Sequence, residues 1–141
     1  MTRLRLKGPV HLACSEVDCW KCHRATPVFA IEASDLKDFR DGPEPHPLGH
    51  GVFVHGIEGR LPGALRDGLI RYAPNFAPMP SRTAGVTYWG NLCVHCHALQ
   101  GDFYLHSEPD GPFFEGPESF DGTRVILTEK NVEIEAGSYA L

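Results

Sequence analysis

The chain has 141 residues, 42% hydrophobic and 22% charged, a composition that fits one folded domain and excludes a wholly disordered polypeptide. Its net charge is −5, and its thirteen Lys and Arg residues are scattered apart from Arg3, Arg5 and Lys7. That disfavours nucleic acid as a partner, because phosphate binding draws on a basic face, and no apolar run approaches the roughly eighteen residues needed for a membrane helix.

Fifteen Gly and twelve Pro favour turns and short strands over a helical bundle. In chain order, residues 4–13 predict a strand interrupted at Gly8 and Pro9, and residues 27–32 (Pro-Val-Phe-Ala-Ile-Glu) predict another. Residues 34–39 predict one helical turn with Ser34 as N-cap. Residues 41–51, with three prolines and three glycines, read as loop. Leu61, Leu65, Leu69 and Tyr72 recur at helical spacing, so a short helix is expected over about 62–72, with Pro62 in its first turn. Residues 86–89 and 103–106 read as strands, and residues 107–122 as a loop whose Phe113, Phe114 and Phe120 need burial. At the end, Val132, Ile134 and Ala136 alternate with Glu133 and Glu135, predicting a hairpin over about 123–136 that turns at Glu129 and Lys130.

Four of the five cysteines fall in two Cys-x-x-Cys pairs, Cys19/Cys22 and Cys93/Cys96, separated by the seventy residues 23–92. Two such pairs supply the four thiolates of one tetrahedral Zn2+ site, and a site filled by four cysteines has no open position for a reactive water. Each pair is followed by a histidine, His23 and His97, and Cys-x-x-Cys-His is also the attachment signature of c-type haem. A dihaem electron carrier with His23 and His97 as proximal ligands, and Met79 or loop histidines as distal ones, is therefore the rival reading. It requires export, whereas the first residues lack the apolar stretch of a secretory signal, so a cytoplasmic location with reduced thiols is expected. The alternative account of His23 and His97 is conformational: the residue after the second cysteine often needs a left-handed backbone, where His is enriched. Redox use or an iron–sulfur centre is the third reading, disfavoured because each pair adjoins strands and opens no helix.

Other residues carry weaker signals. Cys14 reads as a small buried apolar residue ending the first strand. His46, His50 and His55, with His11 and His106, form a second metal site only if the loop folds back; otherwise they are solvated. Glu16, Asp18 and Asp102 lie beside the knuckles as hydrogen-bond acceptors. Trp20 is expected to pack over the metal loop, and one of Tyr88 and Trp89 to enter the core. No phosphate-binding loop, nucleophile elbow or metalloprotease motif is present, so no catalytic residue is expected.

The segments Cys19-Trp-Lys-Cys22-His-Arg-Ala-Thr-Pro-Val-Phe-Ala and Asn91-Leu-Cys93-Val-His-Cys96-His-Ala-Leu-Gln-Gly-Asp-Phe-Tyr-Leu-His106 resemble uncharacterised bacterial zinc-ribbon-like proteins with paired Cys-x-x-Cys knuckles. The resemblance covers about thirty residues and departs at His97, where that pattern carries Gly. It implies metal binding by Cys19, Cys22, Cys93 and Cys96 and supplies no activity. The expected fold is α+β and β-rich: one small domain over residues 1–141 around a zinc-ribbon-like core, with knuckles near 19–23 and 93–97 and a long insertion over about 34–85. The expected role is binding another protein, with a nucleic-acid-binding ribbon as a further alternative.

Overall fold

Strand alternation at the N-terminus continues well past residue 13, giving β1 (Thr2–Asp18), which turns at the first knuckle into the antiparallel β2 (Ala25–Asp38). The computed structural model describes residues 2–38, 51–80, 85 and 87–139; the loop expected at 41–51 lies almost wholly outside them. The other elements are β3 (Val52–Glu58), α1 (Gly63–Tyr72), β4 (Phe76–Pro80), β5 (Thr87–Leu92), β6 (Leu99–Gln100), α2 (Asp102–Ser107), β7 (Thr123–Thr128) and β8 (Val132–Tyr139). A single 3-10 turn spans Pro117–Ser119.

Four strands pair in a closed cycle. β1 pairs with β2, β2 with β3, β3 with β8 and β8 with β1, all antiparallel. From β3 the sheet continues through the single bridge Glu58↔Tyr88 to β5 and then β4. Leu4, Leu6, Val10 and Leu12 of β1 point inward and are completely buried, as the period of two in a strand requires. Leu65 and Leu69 of α1 close the same core from outside the sheet, together with Leu61 and Ala73. Tyr72, expected on the buried face of that helix, is instead 42% exposed; Ala73 takes the inward position one residue on.

Several expectations are corrected by this arrangement. Residues 34–38 continue β2, and no helical turn begins at Ser34: Leu36 pairs with Leu6, and the Ser34 hydroxyl donates to the Pro9 carbonyl. The stretch expected as an insertion, about 34–85, is no appendage, because Val52, Val54, Ile57 and Phe76 are part of the main core. Residues 103–106 are helical, in α2. The Asp102 carboxylate accepts from the Gly56 N–H, and the helix turns Leu105 and His106 inward while leaving Phe103 70% exposed.

The predicted C-terminal hairpin over about 123–136 does not form. β7 and β8 run end to end along one edge of β1, β7 opposite residues 10–14 and β8 opposite residues 2–6. Alternation is satisfied equally by this arrangement, and Glu129 and Lys130 carry no residue suited to the positive φ angles of a two-residue hairpin turn. The break between β7 and β8 instead faces the break in β1. The Gly8 N–H donates to Asn131 Oδ1 at 2.9 Å, and a Cβ on Gly8 would overlap the Glu129 carbonyl. Gly8 is thus required for close approach of two segments of the chain. Gly8→Ala is expected to lower unfolding stability by about 1–3 kcal/mol through overpacking; an unchanged denaturation midpoint would show that the tail does not lie against β1 at this point.

Candidate metal centre

Each Cys-x-x-Cys pair occupies the tip of a two-strand hairpin, β1–β2 for the first and β5–β6 for the second. The two tips are built alike. In the first, Cys19 N–H donates to the Arg24 carbonyl and His23 N–H to the Cys19 carbonyl; in the second, Cys93 N–H donates to Ala98 and His97 N–H to Cys93, all four at 2.9 Å. The chain reverses in both only because the residue after the second cysteine is left-handed, with φ 62° at His23 and 64° at His97. These histidines are exposed and serve the turn through their backbones.

The hairpins bring all four sulfurs together. Cys19 Sγ lies 3.6 Å from Cys96 Sγ, and Cys22 Sγ lies 3.7 Å from Cys93 Sγ, with every sulfur within 4.8 Å of the others. A disulfide would require about 2.05 Å, and all five cysteines are free. A tetrahedron of sulfurs at about 2.3 Å from one zinc ion has edges of about 3.8 Å, so the cluster has the dimensions of a single metal site. Among the described residues it is the only grouping of three or more Cys, His, Asp or Glu ligand atoms this close. Convergence on one point does not fit two separate c-type haems, each needing its own cysteine pair and room for its own macrocycle.

Polar contacts fix the cluster from within and across the two tips. Cys19 Sγ accepts from the N–H groups of Lys21 and Cys22 and from Gln100 Nε2, while Cys93 Sγ accepts from His95 N–H. Across the tips, Trp20 Nε1 donates to the Leu99 carbonyl at 2.7 Å and Val94 N–H to the Thr26 hydroxyl at 3.1 Å, and the His95 ring bonds the Ala25 carbonyl. Deeper, the buried Asn91 amide takes the place of a missing strand: its Oδ1 accepts from Phe29 N–H and its Nδ2 donates to the Phe29 carbonyl, joining β5 to β2. Asn75 similarly donates to the carbonyls of Pro27 and Leu92.

These contacts polarise the thiols unequally. Burial opposes ionisation of Cys19, but the amides of Cys22, Lys21 and Gln100 and the Cys96 thiol outweigh it and bring Cys19 down to about 6. Cys93 is lowered too: burial resists, and the amides of Cys96 and His95 prevail. Cys22 is pushed up to about 11; a hydrogen bond from the Arg24 amide favours its thiolate, but burial and the adjoining sulfurs prevail. Only a cation at the centre makes it favourable for all four sulfurs to be anionic together.

The remaining expectations divide. Cys14 stands apart from the cluster, half-buried against the main core, its thiol raised by burial against a weaker hydrogen bond with Thr123. Glu16 and Asp18 are exposed. Trp20 is 63% exposed and acts through its indole N–H, while Trp89 is buried beside Phe76. His46 and His50 lie outside the described residues, and His11 sits on β1 opposite Glu32. Met79, named as a distal haem ligand, lies in β4 opposite Tyr88. His55 and His106 do meet, stacked at 4.4 Å, and His106 lies beside Phe53 and Phe113. Burial lowers the pKa of His55, and the nearby Asp102 carboxylate opposes that shift without cancelling it. Sequence reasoning missed Thr26, Asn75 and Asn91 as polar supports of the knuckles. Asn91 and Gln100 stand in the motif around the second pair and Thr26 in that around the first, whereas Asn75 had no local signal.

No family model, no curated protein and no solved structure matches this chain.

Because the left-handed turns account for His23 and His97, His97→Gly is expected to retain the metal and the fold. His97→Val, β-branched at positive φ, should cost about 1–2 kcal/mol. Metal analysis and thermal melting of the two variants would check this, and loss of metal in the Gly variant would return the imidazole to a ligand role. A second expectation concerns His106, which is 6% exposed and whose Nδ1 has no hydrogen-bond partner among the described residues. Burial, reinforced by His55, holds its imidazole at about 3, well below the usual 6.5. The unfolded chain therefore takes up this proton at higher pH than the folded one. Stability from this group is complete above 6.5 and declines as pH falls towards 3, by at most about 1.4 kcal/mol per unit. His106→Phe should gain on the wild type between pH 7.5 and 5.5 in urea unfolding with metal present; a pH-independent difference would contradict it.

Proposed function

We propose that the protein is a zinc-binding domain whose metal is structural and whose role is to bind another protein. The observation that supports this reading is the convergence of Cys19, Cys22, Cys93 and Cys96 from two hairpin tips onto one point. Four sulfurs complete a tetrahedron, so such a site holds folding energy and leaves no coordination position for a hydrolytic water or a substrate. Paired hairpin tips of this kind are the arrangement of a zinc ribbon, here set at one end of a much larger sheet. A four-thiolate set also suits iron, and zinc is assigned as the ion of a structural four-cysteine site in a cytoplasmic, reducing compartment. The acidic balance of the chain favours a protein partner over nucleic acid.

Elemental analysis with a visible absorption spectrum tests the assignment: about one zinc per chain and no visible band are expected. Iron with a thiolate or haem band would replace this reading with electron transfer. Cys96→Ser is expected to lose the metal and to melt at markedly lower temperature, whereas Cys14→Ser keeps both metal and melting point. Retention of metal with unchanged melting in Cys96→Ser would refute the four-thiolate site, and salt-dependent retention on DNA would move the role to nucleic-acid binding.

A further inference from the structure

Between α1 and the β4–β5 hairpin lies a groove. Its first hollow has a volume of about 640 Å3 and lies between Arg60, Arg66, Pro78 and Trp89. A second, of about 360 Å3, shares Arg66, Pro78 and Trp89 and runs on past Ile70 and Phe76. Sequence and fold explain why these residues meet. Arg66 and Ile70 are four apart on α1 and share one ridge, while Leu65 and Leu69 face the core. Pro78 and Trp89 are cross-strand partners. Trp89 Nε1 donates to the Gly59 carbonyl, which sets Arg60 at the head of the groove.

The two guanidinium groups at that head are not held in close ion pairs by described residues. Neither Arg60 nor Arg66 makes an ion pair with another described residue, in a chain whose net charge is −5. No carboxylate among the described residues lines either hollow. Arg60 also lines a separate hollow with Arg3, Glu133 and Glu135, in which Glu133 pairs with Arg5 at 3.0 Å, so Arg66 is the guanidinium without a carboxylate in any of these hollows. Two guanidinium groups beside an apolar floor are complementary to a carboxylate with a large apolar neighbour. Both hollows are partly open to solvent, which suits a segment of polypeptide better than a fully enclosed small molecule. Addition of a strand to the edge of the sheet is disfavoured, since Pro78 and Pro80 deprive β4 of two N–H donors. Recognition therefore falls to side chains.

We propose that this groove docks an acidic peptide segment of a partner protein, with a carboxylate on Arg60 and Arg66 and an adjoining large apolar side chain over Trp89, Pro78 and Ile70. The proposal rests on the reading of the protein as a protein-binding module and specifies where and by what chemistry it binds.

The test is selection of a phage-displayed random dodecapeptide library on the metal-loaded full chain, followed by fluorescence anisotropy with the best peptide as a labelled synthetic probe. Enrichment of Asp or Glu next to aromatic or aliphatic residues is expected. Binding should weaken about tenfold or more in the double variant Arg60→Glu/Arg66→Glu, and also with added salt. Arg60→Gln/Arg66→Gln serves if charge reversal disturbs folding; both variants are accepted only with wild-type metal content and melting temperature. Selected peptides that bind the double variant as well as the wild type, or that carry no acidic residue, overturn the groove and leave the module reading standing. Absence of any enriched peptide overturns both. Tight binding of phenylpropionate alone, or self-association abolished by the double variant, would give the groove to a small molecule or to a second copy of the chain and overturn the proposal.

Discussion

Everything in this molecule is organised by the pairing of β1 along both of its edges. One edge carries β2 over nearly the whole length, and the other carries β8 and then β7. A single strand satisfied on both sides buries one face of side chains continuously, and β3 closes the cycle by pairing with β2 and β8. The irregularity at Gly8 and Pro9 is accommodated because the facing segment, between β7 and β8, breaks at the same level and lends Asn131 as acceptor. Closure removes two of the exposed edges that a flat sheet of these strands would present.

The metal centre is an addition to this frame, held against it by polar contacts. The first knuckle prolongs β1 and β2, and the second prolongs β5, which among the described residues meets β3 by one bridge. Asn91 and Asn75 supply the backbone-like hydrogen bonds that the sheet itself does not provide there. The indole of Trp20, the hydroxyl of Thr26 and the ring of His95 tie one hairpin tip to the other. These contacts set the sulfur positions, so the cluster is defined by protein geometry as well as by whatever ion it holds.

Local features were legible in the sequence and long-range ones were not. The four cysteines and the left-handed positions at His23 and His97 follow from a short repeated motif, and the helix over α1 from four regularly spaced apolar residues. The errors share a cause: alternation fixes which face of a strand is buried but not which strand it meets. Hence β7 and β8 read as a hairpin when both belong to β1, and residues 34–39 read as one helical turn although pairing with β1 carries β2 on to Asp38. Phe103 to His106 read as a strand because period two and a single helical turn are indistinguishable over four residues. The groove depended on cross-strand register and on the packing of α1, neither of which spacing alone reveals.

The position of β8 has a consequence for the order of synthesis. It is the last strand in sequence, yet it sits between β1, the first, and β3. While a ribosome is still making the intervening segment, β1 and β2 can form their hairpin, and the first cysteine pair can be presented with only two ligands. One edge of β1 nevertheless stays open over residues 2–6 until β8 has emerged. The ring therefore closes after translation of all its strands, and during that interval the nascent chain exposes Leu4 and Leu6 to its surroundings.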